Sequence, residues 1–387
     1  MSRRVRGITK SALKEMPVLA SKISGCLSLG QGVPSFATPA HIIAAACQAL
    51  NTRPEAGKYS LSPGLPQLRQ ALAVYLREQR GLGVDPETEL CVTVGAMEAL
   101  QAAILALVDP GQEVIMPSPN YASHIEQVLL AQGQPVFVKL REKDWGLDPE
   151  ALSRSITPKT KAIILSSPHN PTGAVFAEAD LRSVAELALK HGLFIISDET
   201  YDSLVYDGPP FFSLISLNEL KDRLIAVFSF SKKYAMTGWR VGCLYAARPV
   251  LDQIIKVHDC GALCAPTVSQ YAALAALEGP QDCVAEIRTA LKRRRDLTCQ
   301  RMERLGKFFD FVKPQGAFYL MARSKLRGLD SMSLALRILN EARVITIPGA
   351  AFGPDGENHL RLSFGGQEEE INHAFDRMET WLRANYG

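Results

Sequence analysis

The chain has 387 residues, 47% of them hydrophobic and 21% charged, with a formal net charge of +3. At roughly 150 residues per domain, this length allows two or three domains and a site buried between them. The near balance of charge excludes a polyanion-binding tail and speaks against a nucleic-acid partner, and the apolar content excludes a disordered chain.

The first sixteen residues are basic but lack the apolar core, about 7–15 residues long, of a signal peptide. The uninterrupted apolar runs at 102–108 and 271–277 fall well short of the ~20 residues that span a bilayer. A soluble protein with no membrane partner is expected. Eight cysteines at 26, 47, 91, 243, 260, 264, 283 and 299 show no CxxC spacing, which predicts reduced thiols and a cytoplasmic location. Cys260 and Cys264 lie near His258, but buried helical side chains explain the trio better than a metal site.

Between residues 90 and 247, short apolar runs alternate with amphipathic stretches. Strands are predicted at 92–94, 114–116, 136–138, 162–165, 194–196, 225–228 and 241–244, with a helix at 181–191 between two of them. Strand–helix alternation with continuously apolar strands predicts an α/β fold with a mostly parallel, helix-covered sheet. Ligands of such sheets gather at the carboxyl ends of the strands. Beyond residue 248 the texture changes. A long charged helix is predicted at 283–305, its basic run Lys292-Arg293-Arg294-Arg295 forming a solvated face. A strand at 318–321, a helix at 331–342, strands at 344–347 and 359–363 and a closing helix then make a smaller α+β unit. The predicted division is a large domain at 45–280 and a small one built from 1–44 and 281–387.

The residues that follow the strands carry the chemistry. Gly95-Ala96-Met97 opens a helix after the first run, and a helix start offers free N–H groups and a positive dipole end to a phosphate. Neither a Walker loop nor a G-x-G-x-x-G fingerprint is present, since Gly30-Gln31-Gly32 is followed by Ser35 where a third glycine would stand. After 162–165 comes Ser166-Ser167-Pro168-His169-Asn170-Pro171-Thr172-Gly173, where two prolines stiffen the backbone around Asn170. Asp198 ends an otherwise apolar strand and needs a cationic or donating partner, and Tyr201 follows three residues later. Ser229, Ser231, Lys232, Lys233 and Arg240 follow the run at 225–228. A lysine able to form a Schiff base, an acid for a pyridinium nitrogen and donors for a phosphate are together what pyridoxal 5′-phosphate (PLP) requires.

With these residues the sequence resembles the class I/II aminotransferases of PLP fold type I, in particular the aspartate and aromatic aminotransferases of bacteria and archaea. The likeness runs from Leu29-Gly30-Gln31-Gly32-Val33-Pro34-Ser35-Phe36 through the NPTG at 170–173 and the SFSKKYAMTGWR at 229–240 to His359-Leu360-Arg361-Leu362-Ser363-Phe364. It implies a seven-stranded, mostly parallel sheet sandwiched by helices, with PLP as cofactor. Lys232 would be the Schiff-base lysine; Lys233 rivals it by chemistry, and the family spacing of eight positions before Arg240 selects Lys232. Asp198 would pair with the pyridine nitrogen, while Asn170 and Tyr201 would bond the ring's phenolate oxygen. Ser229, Arg240, Gly95 and the N–H groups of Ala96 and Met97 would hold the phosphate, with Ser231 a weaker candidate. Tyr121 would stack on the ring. Arg361 would bind the substrate α-carboxylate, helped by the backbone of Gly32.

Tyr59 would reach the phosphate of a neighbouring subunit, which implies a homodimer. The implied reaction is a ping-pong transfer of an amino group from an L-amino acid to a 2-oxo acid. Aspartate-specific relatives carry a lysine where this chain has Met97, so a strict aspartate donor is not expected. His124 near Tyr121 could touch substrate or be structural. A lyase or cyclising synthase on the same constellation is the alternative. A transcription factor with an aminotransferase-like domain is disfavoured by the low charge and by the short stretch before the family-like sequence.

Overall fold

The seven apolar runs each fall on a strand, and the strands inside the sheet are covered on both faces, which is why they show no polar alternation. A computed structural model of the protein describes residues 2–8, 12–207 and 210–387. In chain order its strands are β1 (Leu27–Ser28), β2 (Leu90–Thr93), β3 (Glu113–Ser118), β4 (Gln134–Lys139), β5 (Thr160–Ser166), β6 (Phe194–Asp198), β7 (Leu224–Ser229), β8 (Gly242–Ala246), β9 (Phe309–Phe311), β10 (Tyr319–Ser324), β11 (Val344–Ile345), β12 (Ile347–Pro348) and β13 (His359–Ser363). Strands β2 to β8 form one sheet in the order β2-β8-β7-β6-β5-β3-β4. Only β8 runs against its neighbours, β2 and β7, so the other six strands end at one edge.

Consecutive strand residues face opposite sides and feed two apolar layers. Ile163, Ile195 and Ala226 join Leu72, Leu76, Val184 and Ala188 on one side. Ile164, Ile196 and Val227 join Ala99, Ala103, Ile104 and Leu251 on the other. The helix Gly95–Leu107 presents small residues to the sheet, so its first turn lies close against β8.

The two ends of the chain meet in a third apolar cluster, which unites Met16 and Leu29 with Leu291, Phe309, Phe318 and Phe375. Here β1 pairs in parallel with β11, and β12-β13-β10-β9 form an antiparallel sheet. The strand predicted at 344–347 is two strands, because β11 pairs with β1 while β12 pairs with β13. The helix predicted at 331–342 is α-helical over Ser331–Arg337 and widens into a π-turn over Ile338–Ala342.

Two further expectations need correction. The basic run is only half solvated. Arg294 and Arg295 are buried, with Arg295 donating to Asp207 at 2.5 Å, Asp296 at 2.7 Å and the Pro314 carbonyl at 2.8 Å. Four consecutive helical residues point around most of the helix circumference, so some of them face the packed side. The cysteines near His258 are not buried: Cys260 is exposed and Cys264 half-buried, while His258 itself is fully buried. All eight thiols are free. No helix among the described residues is long and apolar enough to cross a membrane.

Candidate active site

The carboxyl-end edge of the large sheet faces β10 and β13 across a cleft of about 320 Å³. The segment after β2 brings Ala96 and Met97 to it, and those after β3 and β5 bring Tyr121 and Asn170. Strand β6 and its following turn supply Asp198, Thr200 and Tyr201, and β7 leads to Ser229, Ser231, Lys232 and Arg240. Gly32, Tyr319 on β10 and Arg361 on β13 close the other side.

Gly95 does not line the cleft but makes room within it. It holds φ +72°, and a Cβ there would lie 2.7 Å from Arg240 Nη2. A side chain would be strained at this backbone angle and would collide with the guanidinium. Arg240 donates to the Thr237 and Val94 carbonyls at 2.9 and 3.4 Å. Ser229 Oγ caps the short helix Phe230–Lys233 by accepting the Ser231 N–H, which sets Lys232 within a helical turn beside the cleft.

Lys232 Nζ donates to the Gly32 carbonyl at 2.6 Å. Burial, then Arg240 and Arg361, lower its pKa to about 8. Lys233 turns away: its Nζ donates to the Tyr75 hydroxyl at 2.7 Å, on the opposite side of the short helix from the cleft. The geometry thus separates two lysines that composition could not.

Asp198 is buried at the end of β6. Burial raises its pKa, but His124 Nε2 at 3.2 Å and the Thr200 hydroxyl and N–H at 2.6 and 3.1 Å outweigh that and hold it below the usual carboxylate value. His124 is fully buried behind Asp198, 3.3 Å from Asn120 Oδ1 through its other nitrogen, and does not line the cleft. Its role is structural support for the carboxylate. His169 is also buried, and burial followed by the charge of His124 lowers its pKa to about 3, so it is neutral.

Arg361 is 1% exposed. It lies over the Tyr319 ring at 4.4 Å and near the Phe352 ring at 5.0 Å. Its donors reach only the Gly30 carbonyl at 2.6 Å and Asn170 Oδ1 at 3.2 Å, and its Nε has no partner. Asn170 sits between two cis X–Pro bonds, Ser167–Pro168 and Asn170–Pro171, within the stiff loop after β5. Tyr201 bonds the Tyr319 hydroxyl at 2.9 Å, and a Cβ on Gly32 would lie 2.9 Å from that same hydroxyl.

Tyr319 and Thr200 were not anticipated from the sequence. A tyrosine inside an apolar strand reads as core, and a threonine after Asp-Glu reads as a turn. Tyr59, expected at a neighbouring subunit's phosphate, is 82% exposed and lies outside this chain's own cleft.

The cleft is lined by three cations, Lys232, Arg240 and Arg361, and by one carboxylate, Asp198. Among the described residues none of the three cations makes an ion pair with a carboxylate; each finds carbonyl or amide oxygens. Such a surplus of buried positive charge calls for an anionic occupant. Residues 24–378 match the family described as aminotransferase class I and II. The chain belongs to this aminotransferase family.

It is 38% identical over 386 residues to aromatic-amino-acid aminotransferase 2 of Thermococcus litoralis, covering 99% of this chain and 98% of the relative. It is equally 38% identical to the aspartate aminotransferase of Pyrococcus abyssi, with the same coverage. It superposes on the aspartate aminotransferase of Thermus thermophilus with maleate at a TM-score of 0.92, with 36% identity over 98% of this chain and 99% of the other. The aminotransferase is accordingly a PLP-dependent transaminase of fold type I, and these relatives favour transamination over the lyase alternative. The cleft fits that cofactor. Arg240 and the Gly95 turn suit a phosphate, Asp198 a protonated ring nitrogen, and Lys232 the carbonyl.

Proposed function

We propose that this aminotransferase takes an L-amino acid with an apolar or aromatic side chain in preference to aspartate. The supporting observation is the distribution of charge in the cleft. Arg361, without an ion-pair partner, suits one carboxylate, while the remaining wall includes Leu13, Pro17, Val33, Met97 and Leu100. A second carboxylate against these groups would be desolvated without a cation to meet it. Kinship does not decide the matter, because relatives named for aromatic and for aspartate substrates match equally well.

Bound PLP supplies an electrophilic carbon for the amino group and a ring that accepts the electron pair released at Cα. Around it, Arg240, Ser229, Ser231 and the N–H groups of Gly95, Ala96 and Met97 hold the phosphate, and Asp198 accepts the hydrogen of the ring nitrogen. Tyr121 would cover the ring, and Asn170 and Tyr201 would donate to its phenolate oxygen. The Arg361 fork and the Gly32 backbone hold the substrate α-carboxylate. Lys232 would hold the cofactor through its amine and would move the proton at the substrate Cα.

A homodimer completes the proposal. Tyr59 and Leu61, 82% and 62% exposed, present apolar surface suited to a second copy, and there Tyr59 would reach the partner's phosphate. Eight free thiols support a reducing, cytoplasmic setting. The separate apolar cluster joining both chain ends supports a small domain from 1–44 and 281–387 beside a large one at 45–280, with the helix Ala40–Thr52, which crosses the boundary at 44, packing chiefly against Thr267–Glu278 of the large one.

The test is a half-reaction screen that follows the cofactor's spectral change with single amino acids. Aromatic and branched aliphatic substrates should exceed aspartate in kcat/KM by about tenfold or more, and Met97→Lys should raise aspartate turnover by about tenfold. A preference for aspartate in the wild-type enzyme refutes the proposal.

A further inference from the structure

Beneath the first turn of the helix Gly95–Leu107 lies a pair, buried His258 with half-buried Glu98, that the reaction itself does not use. His258, from the helix Arg248–Ala262, is fully buried. Its Nδ1 lies 3.0 Å from Glu98 Oε1, and its Nε2 lies 3.0 Å from the Ser62 carbonyl. The other oxygen of Glu98 accepts the Val94 N–H at 3.2 Å, at the start of the same turn. A carbonyl can only accept, and this carboxylate already acts as an acceptor, so the ring satisfies both contacts by carrying a proton on each nitrogen.

The placement gives the pair a consequence for the cofactor. Glu98 is one helical turn from Gly95, so its carboxylate stands near the N–H groups that face the phosphate. A lone carboxylate there would repel the phosphate dianion and offset the favourable dipole of the helix start. The imidazolium cancels that charge. At the same time it ties the loop holding Ser62, and Tyr59 three residues before it, to the phosphate turn.

We propose that His258 is a positioning residue for the PLP phosphate, neutralising Glu98 and locking the 58–64 loop to the Gly95 turn. The inference rests on the reading that the Gly95 turn and Arg240 hold the phosphate. The other groups facing His258 are few. Asp259 adjoins it on its own helix and adds to the acidic field, while Cys91 on β2, whose thiol burial keeps neutral, lies within the field of Glu98. Burial alone would lower the His258 pKa, but the bond to Glu98 and the charge of that carboxylate raise it above the ordinary imidazole value. As pH climbs through that raised value the ring loses a proton and the phosphate grip weakens.

The experiment measures the rate at which the holoenzyme loses PLP, followed by absorbance between pH 6 and 9. Wild type should lose PLP faster as pH rises, whereas His258→Gln should lose it about tenfold faster at pH 7, the order of effect of one uncompensated charge at a helix start. Adding Glu98→Gln to His258→Gln should restore retention to within about threefold of wild type, because the repelling charge is gone. The double variant also covers the case in which His258→Gln fails to fold. Unchanged retention in His258→Gln, or no rescue by Glu98→Gln, overturns the proposal. Arg240→Gln separates this from the underlying reading: if it too retains PLP like wild type, the phosphate is held elsewhere and the cradle itself is wrong.

Discussion

Two sets of buried cations in this aminotransferase differ in what answers them. In the long helix Asp282–Arg304, Arg295 is 1% exposed and is met by Asp207, Asp296 and a carbonyl. In the cleft, Arg361 is equally buried but has one carbonyl, one amide oxygen and an Nε without a partner. The first arginine is satisfied by its own chain and serves the fold. The second is left incomplete by the chain and faces the cleft. Burial of charge alone therefore says little about function, and neither does a missing counter-charge by itself, since buried Arg294 meets only the Ser35 hydroxyl and the Gly365 carbonyl; the informative observation is a missing counter-charge that faces a cleft.

The two lysines offer the largest test of this contrast. Lys232 faces the incomplete side and Lys233 the satisfied side, bonded to Tyr75. Lys232→Ala should lower kcat by about 10⁴-fold or more and abolish the visible absorbance of the lysine-linked cofactor. Lys233→Ala should keep both, with kcat within about threefold. Comparable losses in the two variants would erase the distinction drawn between the sides.

The arginines sharpen it through opposite effects on stability. Arg361→Met should reduce kcat/KM by about 10²–10³-fold, since the substrate carboxylate loses its buried partner. Thermal unfolding of the cofactor-free form should show little loss of stability, because relief of a buried charge without a counter-ion offsets the donors lost to the Gly30 carbonyl and Asn170 Oδ1. Arg295→Met should do the reverse, with kcat/KM within about threefold and stability lowered by about 1–3 kcal/mol as the Pro314 carbonyl is left without its donor. The half-exposed Asp207 and Asp296 can return to water, which keeps the loss modest. A destabilised Arg361→Met would show that Arg361 is itself part of the fold.

Much of this was readable along the chain because fold type I places its chemistry directly after apolar strands. Asp198, Asn170, Lys232 and Arg240 each follow such a run, and each lines the cleft. Less was readable where a role depends on distant partners. Tyr319 looks like core until Tyr201 and Gly32 are seen against its hydroxyl. His258 suggests its neighbouring cysteines, while its actual partner Glu98 lies 160 positions away. Arg294 and Arg295 sit in a basic run whose charge predicts solvent, yet helical rotation turns both inward. Local pattern identifies what precedes and follows a strand; it does not reveal which remote group meets a side chain.

The smallest expected effect tests whether the cleft's cations act on one another. Burial, then Arg240 and Arg361, bring the Lys232 pKa down to about 8 from the ordinary lysine value. Below pH 8 the amine is protonated in both folded and unfolded chains. Between about 8 and 10.4 the unfolded chain still binds a proton that the folded chain has released, so this group makes stability rise with pH across that window. The same proton governs reactivity. In the cofactor-free protein, labelling of Lys232 by a small uncharged acylating reagent, read by mass spectrometry, should rise about tenfold per pH unit and level off near pH 8. Arg240→Gln should move that midpoint upward, because one of the repelling charges is gone. An uncharged reagent keeps the result independent of phosphate binding. A wild-type midpoint at the ordinary lysine value would mean that the cleft cations are screened from one another, and their lack of counter-charge would then lose its electrostatic meaning.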